Sequence, residues 1–294
     1  FYIYYSMFGF QRIGDLMWLA GDIQAKGFLL GGTAGRTSLN GEGLQHQDGH
    51  SHLMASTIPS LLSYDVTYGF EIAVIIQEGL RRMYGDGEAI FYYLTLCNEN
   101  YPMLPIPKGA EEGIIKGMYV LDKAAKKQKV SATILGSGTI LREALKAKVM
   151  LEEDYGVAVT VFGVTSYQQL RREAMDVERY NRLNPKKKPK EAYVTSQLKQ
   201  FKGPVVAVSD YMKIVSDQIA PYASGAFTSL GTDGFGRSES RESLRTFFEV
   251  DAAHVVLTVL TSLVKEGQLE KIILSKAMKS LGIKADKVYP IIEY

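Results

Sequence analysis

The chain of 294 residues has one cysteine, Cys97, one tryptophan, four histidines and nine prolines. A lone cysteine excludes an intrachain disulfide and suits a reducing compartment, so a cytoplasmic location is expected. The 34 basic and 32 acidic residues leave a formal net charge of only +2. That balance excludes the strongly basic surface of an electrostatic nucleic-acid binder. No apolar run approaches the roughly 20 residues that cross a bilayer. Neither nucleic acid nor membrane is therefore expected as a partner. The chain opens Phe1-Tyr2-Ile3-Tyr4-Tyr5 with no Met and no basic leader. An apolar aromatic run at the first residue predicts a strand or helix cut in the middle, hence a fragment of a longer protein. The 46% hydrophobic content is enough for a full core, and the length suggests one large or two medium domains.

Strand and helix signals alternate along the chain. Strands are predicted at Phe28 to Leu30, Thr57 to Ser63 and Ile90 to Leu96, the last an apolar and aromatic run of buried-strand composition. Phe70, Ile72, Ala73, Ile76 and Leu80 recur at helical spacing, predicting a helix over Val66 to Met83. Pro102, Pro105 and Pro107 break both periods and place a linker near 101–125. Beyond it the spacing predicts strands at Ser131 to Leu135, Val157 to Val164, Pro204 to Val208 and Phe227 to Leu230. Helices are predicted at Leu141 to Tyr155, Ser166 to Tyr180, Tyr211 to Tyr222, Ser240 to Lys265 and Gln268 to Leu281. The alternation implies an α/β fold with a largely parallel, helix-covered sheet.

Three of the four histidines, His46, His50 and His52, fall within seven residues of a Gly- and Asp-rich stretch. Histidine exchanges protons near neutral pH, so the cluster reads as a loop supplying general acids and hydrogen-bond donors. A zinc pair at His46 and His50 would need a helix that Gly49 and Ser51 disfavour, and no second pair completes a ligand set. No metal ligand is assigned. The loop Gly31-Gly32-Thr33-Ala34-Gly35-Arg36 could bring backbone amides to a ligand, with Arg36 pairing an anion. Gly136-Ser137-Gly138 lacks the third glycine of a dinucleotide fingerprint and reads as a strand-to-helix turn. Lys186 to Lys190 reads as a solvated loop. Asp233-Gly234-Phe235-Gly236 is a turn whose order excludes a Gly-Asp-Gly metal–diphosphate motif, and Ser238 or Ser240 can cap the helix after it.

Six segments carry a resemblance: YYSMFGFQRIGDL (Tyr4–Leu16), GGTAGRTSLNGEGLQHQDGHSH (Gly31–His52), LCNENY (Leu96–Tyr101), LGSGTILRE (Leu135–Glu143), SDYMK (Ser209–Lys213) and LGTDGFGRSESRESLRTFFEVDA (Leu230–Ala252). In order and over essentially the whole chain they closely resemble the homodimeric type of pyruvate dehydrogenase. This is the thiamine-diphosphate-dependent decarboxylating component of a bacterial complex. The resemblance implies a transketolase-like fold. Residues 1–110 would be the later part of a pyrimidine-binding domain, and 111–294 a C-terminal domain.

It also implies roles for residues. Tyr5 and Phe8 match aromatic positions around the aminopyrimidine of thiamine diphosphate. His46 matches an active-site histidine, with His50 and His52 in the same loop as catalytic candidates. The cofactors implied are thiamine diphosphate and Mg2+, although the family's diphosphate and magnesium motif is not in this chain. The ring-protonating glutamate should lie upstream of Phe1. The chemistry implied is decarboxylation of pyruvate followed by reductive acetylation of a lipoyl group. Partners implied are a second copy, as a homodimer, and the lipoyl-bearing dihydrolipoamide acetyltransferase. This stretch by itself is expected to be inactive. Two alternatives stay open: a transketolase-type enzyme, which would need several phosphate-binding basic residues near the histidine loop, and a non-catalytic dimerisation or docking module.

Overall fold

A computed structural model describes residues 1–293. Its first sheet uses β1 (Tyr2–Tyr5), β2 (Phe28–Gly32), β3 (Leu61–Asp65) and β4 (Phe91–Thr95) in the order β1-β2-β4-β3, all parallel. Three helices join these strands: α1 (Ser6–Asp22), α2 (Ser51–Ser56) and α3 (Gly69–Leu80). Side chains of β4 alternate between faces as strand geometry requires. Phe91 and Tyr93 join α1 and α2 in one core layer, while Tyr92 and Leu94 join α3 in the other. Gly9 on α1 lies where any Cβ would overlap the Tyr4 ring, so helix and strand meet only with glycine there.

After α4 (Glu111–Lys116) comes a second sheet of β5 (Met118–Asp122), β6 (Val130–Gly136), β7 (Val157–Val164), β8 (Val205–Val208) and β9 (Phe227–Leu230). Its order is β5-β7-β6-β8-β9. β5 runs antiparallel to β7 and the other pairs are parallel. Val157, Val159 and Val161 of β7 pack on α5 (Leu141–Asp154), α10 (Ala252–Lys265) and α11 (Ile272–Ser280). Phe162 and Val164 face the opposite layer of α6 (Tyr167–Leu183) and α7 (Tyr193–Leu198). The remaining helices are α8 (Lys213–Asp217) and α9 (Arg241–Phe247). The α/β class and the largely parallel, helix-covered sheets expected from the sequence are present.

Several expected elements differ. The strand predicted from Thr57 begins at Leu61, because Ser56 and Thr57 close α2 with hydroxyl bonds back to the Leu53 and Met54 carbonyls. The proline-rich stretch is not all linker, since α4 and β5 lie within it. β5 was hidden because it adds at the edge of a sheet whose other members are distant in sequence. The helix predicted over Tyr211 to Tyr222 shortens to α8 and a single 3₁₀ turn, Ala220–Tyr222, with Pro221 in that turn. The helix predicted over Ser240 to Lys265 is two: the chain breaks at Glu249, whose φ is +62°, and restarts at Asp251. Ser240 caps α9 through the Ser243 amide as anticipated.

The two sheets are joined by buried polar contacts. Glu71 accepts from the Thr67 and Tyr68 amides at 2.5 and 3.1 Å and from the Tyr119 hydroxyl of β5 at 2.6 Å. Burial raises its pKa to about 7, although those three bonds favour the charged form. Glu99 pairs with Arg142 at 2.6 Å and with Arg245. Burial works to raise its pKa, but Arg245 and Arg142 hold it below the ordinary range.

Asp251 caps α10 by accepting from the His254 amide at 2.9 Å, and its Oδ1 lies 2.7 Å from His254 Nδ1. The fourth histidine is therefore part of a helix start. We expect Asp251→Ala to cost about 0.5–2 kcal/mol in urea unfolding, the range for a lost N-cap. No change would show that the cap does not hold the restart.

Candidate active site

The stretch 31–52 leaves the carboxyl end of β2 and crosses to the loops that follow β8 and β9. Asp210, at the end of β8, is fully buried and accepts from the Thr37 amide at 2.8 Å, the Ser38 amide at 3.0 Å and the Ser38 hydroxyl at 2.7 Å. Gly35 has φ +88°, and an added Cβ would lie 2.3 Å from Asp210 Oδ2. The two amides that follow the Gly31–Arg36 loop, those of Thr37 and Ser38, are thus taken by a carboxylate of the same chain. Burial raises the Asp210 pKa, while bonds from Ser38 and Thr37 and the charge of Arg245 oppose the shift.

Arg36, expected to pair an anion, is buried and donates from Nη1 to the Thr232 carbonyl at 2.6 Å and to the Gly234 carbonyl. Asp48, Asp210 and Asp233 surround it, and burial lowers its pKa. Gln47 completes the clamp. Its Nε2 donates to the carbonyls of Leu39 and Arg237, both at 2.7 Å, and its Oε1 accepts from the Arg237 amide at 2.7 Å. The Asp-Gly-Phe-Gly turn therefore seats the histidine loop, a use its spacing did not disclose.

The three clustered histidines have different surroundings. His46 meets the Phe8 ring edge-to-face at 4.7 Å and the Tyr5 ring at 6.1 Å. Its Nδ1 is 3.4 Å from Glu42 Oε2. The structure thus brings Tyr5, Phe8 and His46 together at the head of α1. His50 lies close by, with Nε2 2.7 Å from the Gln11 amide nitrogen. Burial lowers its pKa, Asp48 opposing and Arg36 adding to the shift. His52, by contrast, sits in α2, buried, with Nε2 3.0 Å from the Thr95 hydroxyl and its ring against Tyr211. Thr95 in turn donates to Asp65 at 2.8 Å. Burial pushes His52 down to about 4, with Asp48 only partly opposing, and pushes Asp65 up to about 7, against bonds from Thr95 and Ser137.

Sequence reasoning missed Asp65 and Asp210, each an acid at the carboxyl end of a parallel strand, where open α/β sheets place their sites. Their position after the apolar runs of β3 and β8 was the available signal. It also missed Gln11 and Arg12. Arg12 stacks its guanidinium over Phe8 at 4.3 Å. Among the described residues no group of three His, Cys, Asp or Glu is arranged to hold a metal ion. Burial raises the pKa of the lone thiol, Cys97.

The profile of the pyruvate dehydrogenase E1 component middle domain matches residues 1–104, and that of the transketolase-like C-terminal domain matches 117–251. The chain is 54% identical over 292 residues to the pyruvate dehydrogenase E1 component of Pseudomonas aeruginosa PAO1, covering 99% of this chain and 33% of that protein. It belongs to the pyruvate dehydrogenase E1 family. The Escherichia coli K12 E1 component is 52% identical over the same length and with the same coverage. The chain thus spans about a third of the length of these E1 relatives. A Campylobacter jejuni transketolase structure superposes with a TM-score of 0.68 at 17% identity, over 88% of this chain and 35% of that one. At that identity the likeness concerns the fold alone.

Two outcomes follow for this E1 stretch. Gly35→Ala forces a side chain into a left-handed backbone and against Asp210. We expect a loss of about 2 kcal/mol or more in urea unfolding, and an unchanged midpoint would mean the loop is not pinned there. His52 titrates near 6.5 when unfolded and near 4 in the fold. The unfolded chain therefore binds more protons between those values, and stability falls as pH drops through them. From pH 7 to 4 we expect the wild type to lose about 1–3 kcal/mol more than His52→Gln. Equal losses would show that His52 is not held neutral.

Proposed function

We propose that this chain is the pyrimidine-side and C-terminal section of a thiamine-diphosphate enzyme that decarboxylates pyruvate and reductively acetylates a lipoyl group. The observation that carries the reading is the Tyr5–Phe8–His46 cluster. Tyr5 is 55% exposed, so its ring is available to a flat heterocycle. A groove of about 560 Å³ runs alongside, bounded by β1, Phe8 and Thr33. These residues fit the aminopyrimidine end of the cofactor. Among the described residues no group of three His, Cys, Asp or Glu is arranged to hold Mg2+, and on this reading the metal and the diphosphate are held by residues outside the chain. When bound, thiamine diphosphate supplies the electron sink for loss of CO2.

The chain's own residues bind, orient and move protons. Tyr5 and Phe8 hold the heterocycle against the head of α1. Phe8 and Tyr5 fix the His46 ring, and Glu42 Oε2 stands 3.4 Å from its Nδ1. His46 donates a proton to, or stabilises negative charge on, the substrate or the lipoyl group. His50, whose pKa burial lowers, contributes a hydrogen bond. His52 acts from behind, in the Thr95–Asp65 chain.

We further propose that the protein works as a cytoplasmic homodimer with a lipoyl-bearing acetyltransferase partner, with its domain division near residue 110. Phe1, Tyr2, Ile3, Leu16, Trp18 and Ile23 are exposed on and beside β1 and α1, apolar surface that supports a partner contact. A sugar-phosphate reading is weaker, because Arg36 is enclosed by carboxylates and bonded to carbonyls.

In the full-length protein with cofactor, we expect His46→Ala to lower kcat/KM for pyruvate by about 10²–10⁴-fold, as for a positioned acid–base group. Activity within about twofold of wild type would remove His46 from proton transfer. Absence of cofactor-dependent pyruvate decarboxylation in the wild type would end the reading as a whole.

A further inference from the structure

The histidine loop rests on the turn at 233–237, and that contact is close. The Gly234 carbonyl accepts from Arg36, and the Arg237 amide and carbonyl clasp the Gln47 side chain. Glycines let the two backbones approach. A Cβ on Gly236 would lie 2.5 Å from Gln47 Oε1, and one on Gly43 would lie 2.5 Å from Ser238 Oγ. Beside the turn, the Met212 amide donates to the Gly49 carbonyl at 2.8 Å. A shift of the turn would therefore carry the loop with it.

A second segment, residues 287–293, bears on the same turn. It is tethered first at the end of α9, where Lys287 donates to the Thr246 carbonyl and pairs with Glu249 at 3.5 Å. Lys213, next to Met212, then has its Nζ 5.6 Å from the centre of the Tyr289 ring. Pro290 is buried, and its carbonyl lies so close to Gly234 that an added Cβ there would stand 2.6 Å from the oxygen. Glu293 pairs with Arg237 at 3.0 Å. That last pair is partly exposed on both sides, and such a pair alone contributes little. The backbone packing of Pro290 on Gly234 and the ring over Lys213 are the firmer contacts.

We propose that residues 287–293 form a strap that positions the histidine loop. By bearing on the turn at 233–237, the strap fixes the carbonyl and amide groups that Arg36 and Gln47 bind. His46 lies between those two residues and His50 just beyond them, so both take their places from the strapped turn. Tyr289, Pro290 and Glu293 act through the turn, which makes them positioning residues rather than catalytic ones. The strap itself is argued from these contacts alone; its effect on turnover rests on the function proposed above.

The test uses the full-length protein in which residues 289–293 are replaced by an equal number of glycines and serines. Amide hydrogen exchange, followed by mass spectrometry, compares peptides from 36–50 with peptides from β7. We expect exchange in 36–50 to quicken about tenfold or more and β7 to be unchanged, as for a local opening. Where the wild type turns over pyruvate with thiamine diphosphate, kcat should fall about tenfold, since small misplacements of reacting groups are costly. KM should change by less than about threefold, because the strap is not placed against the substrate. Unchanged exchange in 36–50 would overturn the proposal. Equal quickening in β7 would also overturn it, since the segment would then support the whole fold. So would an unchanged kcat in an active enzyme. If the replaced protein does not fold, the double variant Tyr289→Ala with Glu293→Gln decides by the same exchange measurement. Quickened exchange in a wild type without turnover keeps the strap and removes the reaction. Turnover with unchanged exchange removes the strap alone.

Discussion

A buried carboxylate must be satisfied, and Asp210 is satisfied only by a segment from the other sheet. Two amides and a hydroxyl from Thr37 and Ser38 converge on it. An unpaired carboxylate there would carry the full penalty of desolvation. The path of the following residues depends on this anchorage. Arg36 reaches the Thr232 carbonyl, Gln47 reaches Arg237, and Asp48 accepts from the His50 and Ser51 amides at the start of α2. Each histidine takes its place from that fixed track.

Burial sorts the acids and bases by what surrounds them. Asp65 and Glu71 are enclosed among neutral donors, Asp210 has Arg245 near it as well, and burial lifts the pKa of all three. Glu99 is also half enclosed, yet Arg142 and Arg245 keep it charged. His52 and His50 are both shifted down by burial, but His50 lines a cavity of about 440 Å³ and His52 a pocket of only about 10 Å³. One loop therefore contains a histidine at a ring cluster, one at a cavity wall and one inside the core.

Much of this was legible from the residues. The β7 strand follows from an unbroken apolar run, and its bounds coincide with the predicted ones because both of its faces are covered. The roles given to Tyr5, Phe8 and His46 came from resemblance to a family, and their contact came from the fold, since nothing in the spacing brings positions so far apart together. The break in the last long helix had a signal that periodicity overrode: Asp251 is a capping residue three positions before His254. The role of Arg36 was misjudged for a different reason. A cation in a glycine-rich loop looks free until the carbonyls of Thr232 and Gly234, nearly two hundred residues later, are folded onto it.

That separation also sets an order in time. Thr37 meets its partner 173 positions along the chain, and Gln47 meets its own 190 positions along. During synthesis the histidine loop has nothing to close upon until the strand bearing Asp210 and the turn bearing Arg237 have emerged. Contacts of such range are slow to form, because chain entropy is lost before they reward it. The loop is then among the last parts to be ordered in a newly made molecule. For the same reason it is an early part to loosen when the two sheets separate, so loss of the site should precede loss of either core.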